Sequence, residues 1–200
     1  MEFTEVLRGR RMVRGYRPDP VDEDVLGRVV RMVHRAPSGG FSQGHRLVVI
    51  TAPEVRRQIA DASEQEYLDL GFAPWISQAP VLIAVGVREA SYHERYQQPD
   101  KLEADGSETI WPVPYWWFDS GALLTLIQLA AADEGLATGF FGPDDPKEIA
   151  DLRAAIGFPD DVGLSGVVTL GYESPDAPGP SKSSLSRRRL PLDELVTWVR

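Results

Sequence analysis

The sequence predicts a three-layer domain in which helices cover both faces of a central sheet. Three observations carry that reading. Apolar runs of strand length recur at Leu47–Ile50, Pro80–Val87, Ala137–Phe141 and Leu164–Leu170. Segments with helical signals lie between them, so strands and helices interleave along the chain. A stretch from about Asp119 to Glu134 is apolar on almost every side, as a helix buried in the middle of a domain would be.

In chain order, a first helix is expected over Glu2–Arg8, stopped by Gly9. A second is expected from about Asp22 to His34, with Val25, Val29 and Val33 facing the core. Asp22, Glu23 and Asp24 fall in its first turn, where the helix dipole favours negative charge. After the first strand, Pro53 opens a helix to about Ala62, and Glu64–Gly71 reads as another. Pro80–Val87 is continuously apolar, the pattern of a strand covered on both faces. From Arg88 to Pro114 the chain is polar and punctuated by Pro99, Gly106, Pro112 and Pro114, so a long lid or interface loop is expected. Asp119 or Ser120 would cap the central helix, and Gly135 would end it. A helix from about Pro146 to Ile156 separates the last two strands. Ser174–Ser186, rich in Pro, Ser and Gly, reads as an arm across a surface, with Leu195, Val196 and Val199 anchoring the tail.

Composition bounds the function. Two hundred residues, 42% hydrophobic, suit one domain over residues 1–200 with a real core. No apolar run reaches the length of a membrane span. Arg8, Arg10, Arg11 and Arg14 are not followed by an apolar segment, so no secretory signal is expected and the cytoplasm is the expected location. Absence of cysteine removes disulfides and thiolate chemistry. A net charge of -9 argues against nucleic acid or an anionic membrane as partner, so clustered arginines are expected to face a local anion. The three histidines are scattered, and no spaced His/Asp/Glu cluster suggests a metal. There is no phosphate loop, nucleophile elbow or dinucleotide fingerprint.

The stretch Ala36-Pro37-Ser38-Gly39-Gly40-Phe41-Ser42-Gln43 sits between the second helix and the first strand. Pro37 stops the helix, while Gly39 and Gly40 allow left-handed angles and close approach by something flat. Ser38, Ser42 and Gln43 offer neutral hydrogen-bonding groups that suit a heterocycle. Taken alone, the stretch reads as an ordinary helix–strand connection made of turn residues. Its company is Arg10-Arg11-Met12-Val13-Arg14 upstream, Gly135–Gly142 downstream and Arg187-Arg188-Arg189 near the C-terminus. In that order and at those distances, the chain resembles the FMN-dependent nitroreductase family over nearly its whole length. The resemblance implies an α+β fold with a mostly antiparallel central sheet, and a homodimer whose C-terminal arm wraps its partner.

The resemblance also implies the site. Arg10, Arg187 and Arg189 match the side chains that hold the FMN phosphate, for which guanidinium groups offer bidentate charge-assisted bonds. Read without the family, the same residues are two solvated basic patches, and Arg11 and Arg188 stay ambiguous. Arg14 matches a cation placed near the pyrimidine edge of the flavin, where it would stabilise the charge that reduction brings. Pro37, Ser38, Gly39, Gly40 and Gln43 would come from the partner subunit. Gly139, Phe140 and Gly142 would line the ring, unless they are a buried strand end with turn glycines. Met12, Phe41 and Gly44-His45 depart from the family's usual residues, which puts the subgroup and its substrate in doubt.

The run Trp111-Pro112-Val113-Pro114-Tyr115-Trp116-Trp117-Phe118 is read as non-helical because of its prolines. Either it packs an interface or the end of the central helix, or Trp111 and Tyr115 border the flavin with Phe41 as an acceptor pocket. The expected function is two-electron transfer from NADH or NADPH through FMN to a small planar acceptor such as a nitroaromatic or quinone. The alternatives are a specialised relative, such as a reductive dehalogenase or flavin-fragmenting enzyme, and a protein that binds FMN without turnover.

Overall fold

The computed structural model describes residues 2–179 and 186–199. Its centre is a four-stranded antiparallel sheet of β1 (His45–Ile50), β2 (Val81–Val87), β3 (Ala137–Phe141) and β4 (Gly163–Gly171), in the spatial order β1-β2-β4-β3. Every residue of β2 is buried, as its unbroken apolar run implies. Alternate residues of β2 feed two cores. Leu82 and Ala84 pack with α3 (Pro53–Asp69) and α6 (Pro146–Ile156), through Ile59, Leu152 and Ile156. Val81, Ile83 and Val85 pack with α2 (Glu23–Val30) and α5 (Tyr115–Asp133), through Val29, Leu123, Ile127 and Ala131. The expected three layers and antiparallel sheet are therefore present.

The outer edge of β3 is met by the N-terminal segment that follows α1 (Phe3–Gly9). Met12 bridges Thr138 in parallel, and the Val13 N–H donates to the Thr138 carbonyl at 2.8 Å. Buried Tyr16 fixes the segment further, its hydroxyl 2.6 Å from Thr169 Oγ1 and donating to the Val13 carbonyl at 3.0 Å. Arg10 to Arg14 are thus laid along the sheet edge.

Local chemistry explains most boundaries. Asp22 caps α2 by accepting from the Asp24 and Val25 N–H groups, and the helix continues as a 3-10 turn over Arg31–Arg35 that ends before Pro37. Asp145, Pro146 and left-handed Gly157 bound α6 as a cap, an opening residue and a stop.

Four expectations need correction. The segments read as two helices over residues 53–71 form one, because Glu64 turns inward and its Oε1 accepts the N–H groups of Trp75, Ile76 and Ser77 at 2.6–3.1 Å. The polar stretch after Arg88 is not all loop, since α4 (Ala90–Tyr96) lies within it. Helix α5 begins at Tyr115, ahead of Asp119, with Pro114 as its cap residue; the aromatic run from Tyr115 to Phe118 is its first turn. A proline there is tolerated because the first helical N–H groups have no intrahelical partner. Finally, Leu195, Val196 and Val199 do not anchor on their own chain: beside α7 (Leu192–Leu195) they are 63%, 39% and 95% exposed. Of the arm expected over Ser174–Ser186, residues 180–185 lie outside the described residues.

The long segment after α4 is tied back to it through Glu108. His93 Nδ1 meets Glu108 Oε1 at 2.5 Å, Gln97 Nε2 donates to Oε2 at 2.9 Å, and Trp111 Nε1 donates to Oε1 at 3.2 Å. Glu89 on α4 lies 3.5 Å from the other ring nitrogen, and the rings of Trp111 and Trp116 flank His93. The Glu108 carboxylate, helped by Glu89 and opposed by burial, raises the His93 pKa above its ordinary 6.5. A raised value means the folded state holds the proton more tightly. The tie is therefore complete below pH 6.5 and fades as pH rises through the folded-state value. Protection of residues 97–114 from hydrogen exchange, relative to the intrinsic base-catalysed rates, is expected to fall across that rise in the wild type but not in His93→Gln; identical protection profiles would contradict the tie.

Candidate functional site

Two groups of residues were expected to make the site, and the structure places them at opposite ends of α5. Arg10 reaches buried Gln128 near the C-terminal end, Nη1 to Oε1 at 3.5 Å. The Gly39 N–H donates to Asp119 Oδ2 at 2.9 Å near the N-terminal end. Asp119 and Gln128 are nine residues apart, or about 14 Å along the axis at ~1.5 Å per residue. The two groups are therefore held apart by the rigid length of the helix.

The first group lines a cleft of about 220 Å³ bounded by Arg10, Arg11, Val13, Leu136, Thr138 and Glu173. Arg11 is paired with Glu173, an exposed ion pair of the kind worth at most about 1 kcal/mol. Arg10 has no carboxylate partner among the described residues, and Met12 is partly exposed beside it. Arg14 sits deeper. Its guanidinium lies 5.1 Å from the Phe72 ring centre and 5.3 Å from that of Trp75, and its buried Nε has no hydrogen-bond partner. A cation held by two rings with an unused donor is the best-formed polar feature of the site. Trp75 is itself fully buried in the turn that Glu64 holds. Phe72, Trp75 and Glu64 were not foreseen, because nothing local in the sequence links them to Arg14.

Gly139 owes its missing side chain to packing. A Cβ there would lie 2.6 Å from Thr169 Oγ1 and the Val13 carbonyl and 2.7 Å from Trp75. The strand-end alternative therefore accounts for this glycine. Phe140 packs over Gly166, whose φ of 143° opens the space, and Gly142 is exposed beyond it.

The second group is the 38–43 loop, a tight turn with Gly40, Phe41 and Gln43 at φ 58°, 62° and 51°. Left-handed angles cost a non-glycine residue about 1–2 kcal/mol, so surrounding bonds must hold them. Ser38 Oγ accepts the Gln43 N–H at 3.0 Å, and Ser42 Oγ donates to the Gly39 carbonyl at 2.6 Å. His45 Nε2 lies 3.1 Å from the Pro37 carbonyl. From α4, Arg95 Nε donates to the Gly40 carbonyl at 2.9 Å, and Tyr96 closes on Gly40 so tightly that a Cβ would come within 2.6 Å. Phe41 is left 74% exposed at the tip.

Arg187, Arg188 and Arg189 are exposed and form no ion pair among the described residues, so within one chain they join neither group. No group of His, Cys, Asp or Glu among the described residues is placed to hold a metal. No described helix is long and apolar enough to cross a membrane.

Residues 7–172 match the Nitroreductase family. The chain belongs to that family. It is 25% identical to an NADH dehydrogenase of Thermus thermophilus, over 94% of this chain and 92% of the relative. It is 32% identical to a 5,6-dimethylbenzimidazole synthase of Rhodobacter capsulatus, over 76% of each. The crystal structure of a nitroreductase family protein from Streptococcus pneumoniae superimposes with a TM-score of 0.74 at 18% identity, covering 99% of this chain and 100% of that one. That likeness shows the shared fold. Arg187–Arg189 lie beyond the matched residues.

The nitroreductase fold leaves the aromatic run with two distinct fates. Trp111 is part of a packed cluster, 4.5 Å from the Tyr96 ring, 6.2 Å from Tyr92 and 6.1 Å from Trp116. Half-buried in this cluster, Trp111 packs beside the start of the central helix, one of the two readings of the run. Tyr115 is 46% exposed on the first turn of α5 and remains able to border a ligand. Trp111→Ala is expected to lose about 3 kcal/mol or more of stability in urea, as aromatic truncations in packed clusters do. Tyr115→Ala is expected to lose less than about 1 kcal/mol, near the range for surface changes. Equal losses would contradict this division.

Proposed function

We propose that this nitroreductase-family chain is an FMN-dependent oxidoreductase, working as a homodimer with shared sites. It takes electrons from NADH or NADPH and passes two to a small planar acceptor, a nitroaromatic, a quinone or a related molecule. Arg14 carries the reading. A guanidinium gripped by Phe72 and Trp75, with a buried Nε–H left over, fits an electron-rich ring edge better than it fits the protein's own interior. The likeness to the Thermus NADH dehydrogenase supports a nicotinamide donor.

Each residue then has a task. Arg10, with Arg187 and Arg189, would hold the phosphate by charge-assisted bonds. Arg14 would favour negative charge accumulating at the ring edge through its guanidinium. Pro37, Ser38, Gly39 and Gly40 of the second copy would close the site, with Gln43 supplying a side-chain amide and Phe41 and Tyr115 an apolar wall. Bound FMN would supply the two-electron chemistry, and the protein orientation and electrostatics. The 32% identity to the Rhodobacter synthase favours, as a second reading, a specialised synthase; such an enzyme would consume its flavin over time rather than turn over with it.

Purified protein is expected to be yellow, to bind added FMN and to sediment as one species of twice the 22.1 kDa chain mass. Arg189→Ala is expected to weaken FMN by about 1.5–3 kcal/mol, the range for a hydrogen bond to a charged group. A protein folded by circular dichroism that binds no FMN would overturn the proposal.

A further inference from the structure

Besides the bonds from Arg95 and within the turn, the strained 38–43 loop is held by one carboxylate oxygen outside the site residues named so far. Asp119 Oδ2 accepts both the Gly39 N–H at 2.9 Å and the Tyr92 hydroxyl at 2.6 Å. The Tyr92 ring is fully buried, and burial together with the neighbouring carboxylate pushes its phenol well above its ordinary pKa, so it remains a donor. Gly39 also rests against that ring, where a Cβ would meet Cε1 at 3.8 Å, and a Cβ at Gly44 would come within 2.5 Å of Cε2 on the ring's other edge. The loop is therefore hooked at its first glycine and wedged at its far end by the same tyrosine. Asp119 has no helix-capping role, because α5 has already begun at Tyr115. Its carboxylate is used for the loop instead.

We propose that Asp119 and Tyr92 are a positioning pair that fixes the 38–43 loop in the shape in which it meets the cofactor of the second copy. The proposal rests on the FMN reading above. Neither side chain touches the cofactor; both act through Gly39. With the hook in place, the left-handed Gly40, Phe41 and Gln43 stay ordered before binding, and the ordering cost is removed from the binding step. The requirement is for an oxygen that accepts twice. Asn supplies one through its amide carbonyl, whereas Ala supplies none.

The test compares Asp119→Ala, Asp119→Asn and Tyr92→Phe by FMN titration, by the absorption spectrum of bound flavin and by melting. Asp119→Ala is expected to weaken FMN about tenfold, the effect of losing roughly one such bond, and to alter the bound spectrum. Tyr92→Phe keeps the ring and is expected to weaken FMN a few-fold. Asp119→Asn is expected to restore both the affinity and the spectrum. Variants that melt earlier yet match the wild type in FMN affinity and spectrum would show a structural role only and overturn the proposal. Should Asp119→Ala fail to fold, Tyr92→Phe decides in the same way, since its volume is nearly unchanged. Failure of Asp119→Asn to rescue would overturn the double-acceptor role. A wild type that binds no FMN overturns both this proposal and the reading beneath it.

Discussion

Helix α5 lies against the sheet with Leu123, Ile127 and Ala131 buried, and residues of the two candidate groups bond to it near opposite ends. Gly39 is bonded to Asp119 near one end, and Arg10 reaches Gln128 near the other. A helix that packed keeps its length, so the two halves are separated by a rigid spacer of about nine residues at ~1.5 Å each. The exposed hydrophobic residues fit the same picture. Phe118 and Tyr115 on α5, Phe3 and Leu7 on α1, and Leu190, Leu192 and Trp198 in the tail are left largely uncovered by their own chain. A two-fold arrangement, in which the same patch meets itself, would cover such residues while pairing opposite ends of two α5 helices.

The electrostatic half of the site is organised around a cation in an aromatic slot. Arg14 would be costly to bury without partners. The rings of Phe72 and Trp75 supply part of the compensation, and Trp75 is held because Glu64 takes three backbone N–H groups of its turn. The N-terminal segment adds the other constraint. It is pinned to β3 through Thr138 and needs Gly139 to approach that closely. Packing at Gly139 therefore serves the site indirectly, by setting where Arg10 to Arg14 lie.

Much of this was legible in the sequence where the signal is local. The buried run of β2 and the span of α6 from Pro146 to Ile156 fell where they were read, because local patterns act over a few residues. The 38–43 loop and Arg10–Arg14 were legible as motifs. The start of α5 was not, since Pro112 and Pro114 resemble breakers although a proline before the first turn is harmless. Asp119 looked like a cap and Glu64 like the start of a helix. Their true partners, Gly39, Tyr92 and the 75–77 turn, are distant in sequence and carry no spacing that would reveal them.

The central claim, that two copies each give half of a site, is tested most directly by mixing two defective chains. One carries Arg14→Ala and the other carries Gly40→Ala, which places a Cβ against Tyr96. Each variant alone is expected to bind little FMN. Refolded together in equal amounts, random pairing makes about half of the dimers mixed, and each mixed dimer has one intact and one doubly defective site. The account predicts that FMN binding returns to roughly a quarter of the wild-type capacity. A mixture that binds no more than its two components would contradict it.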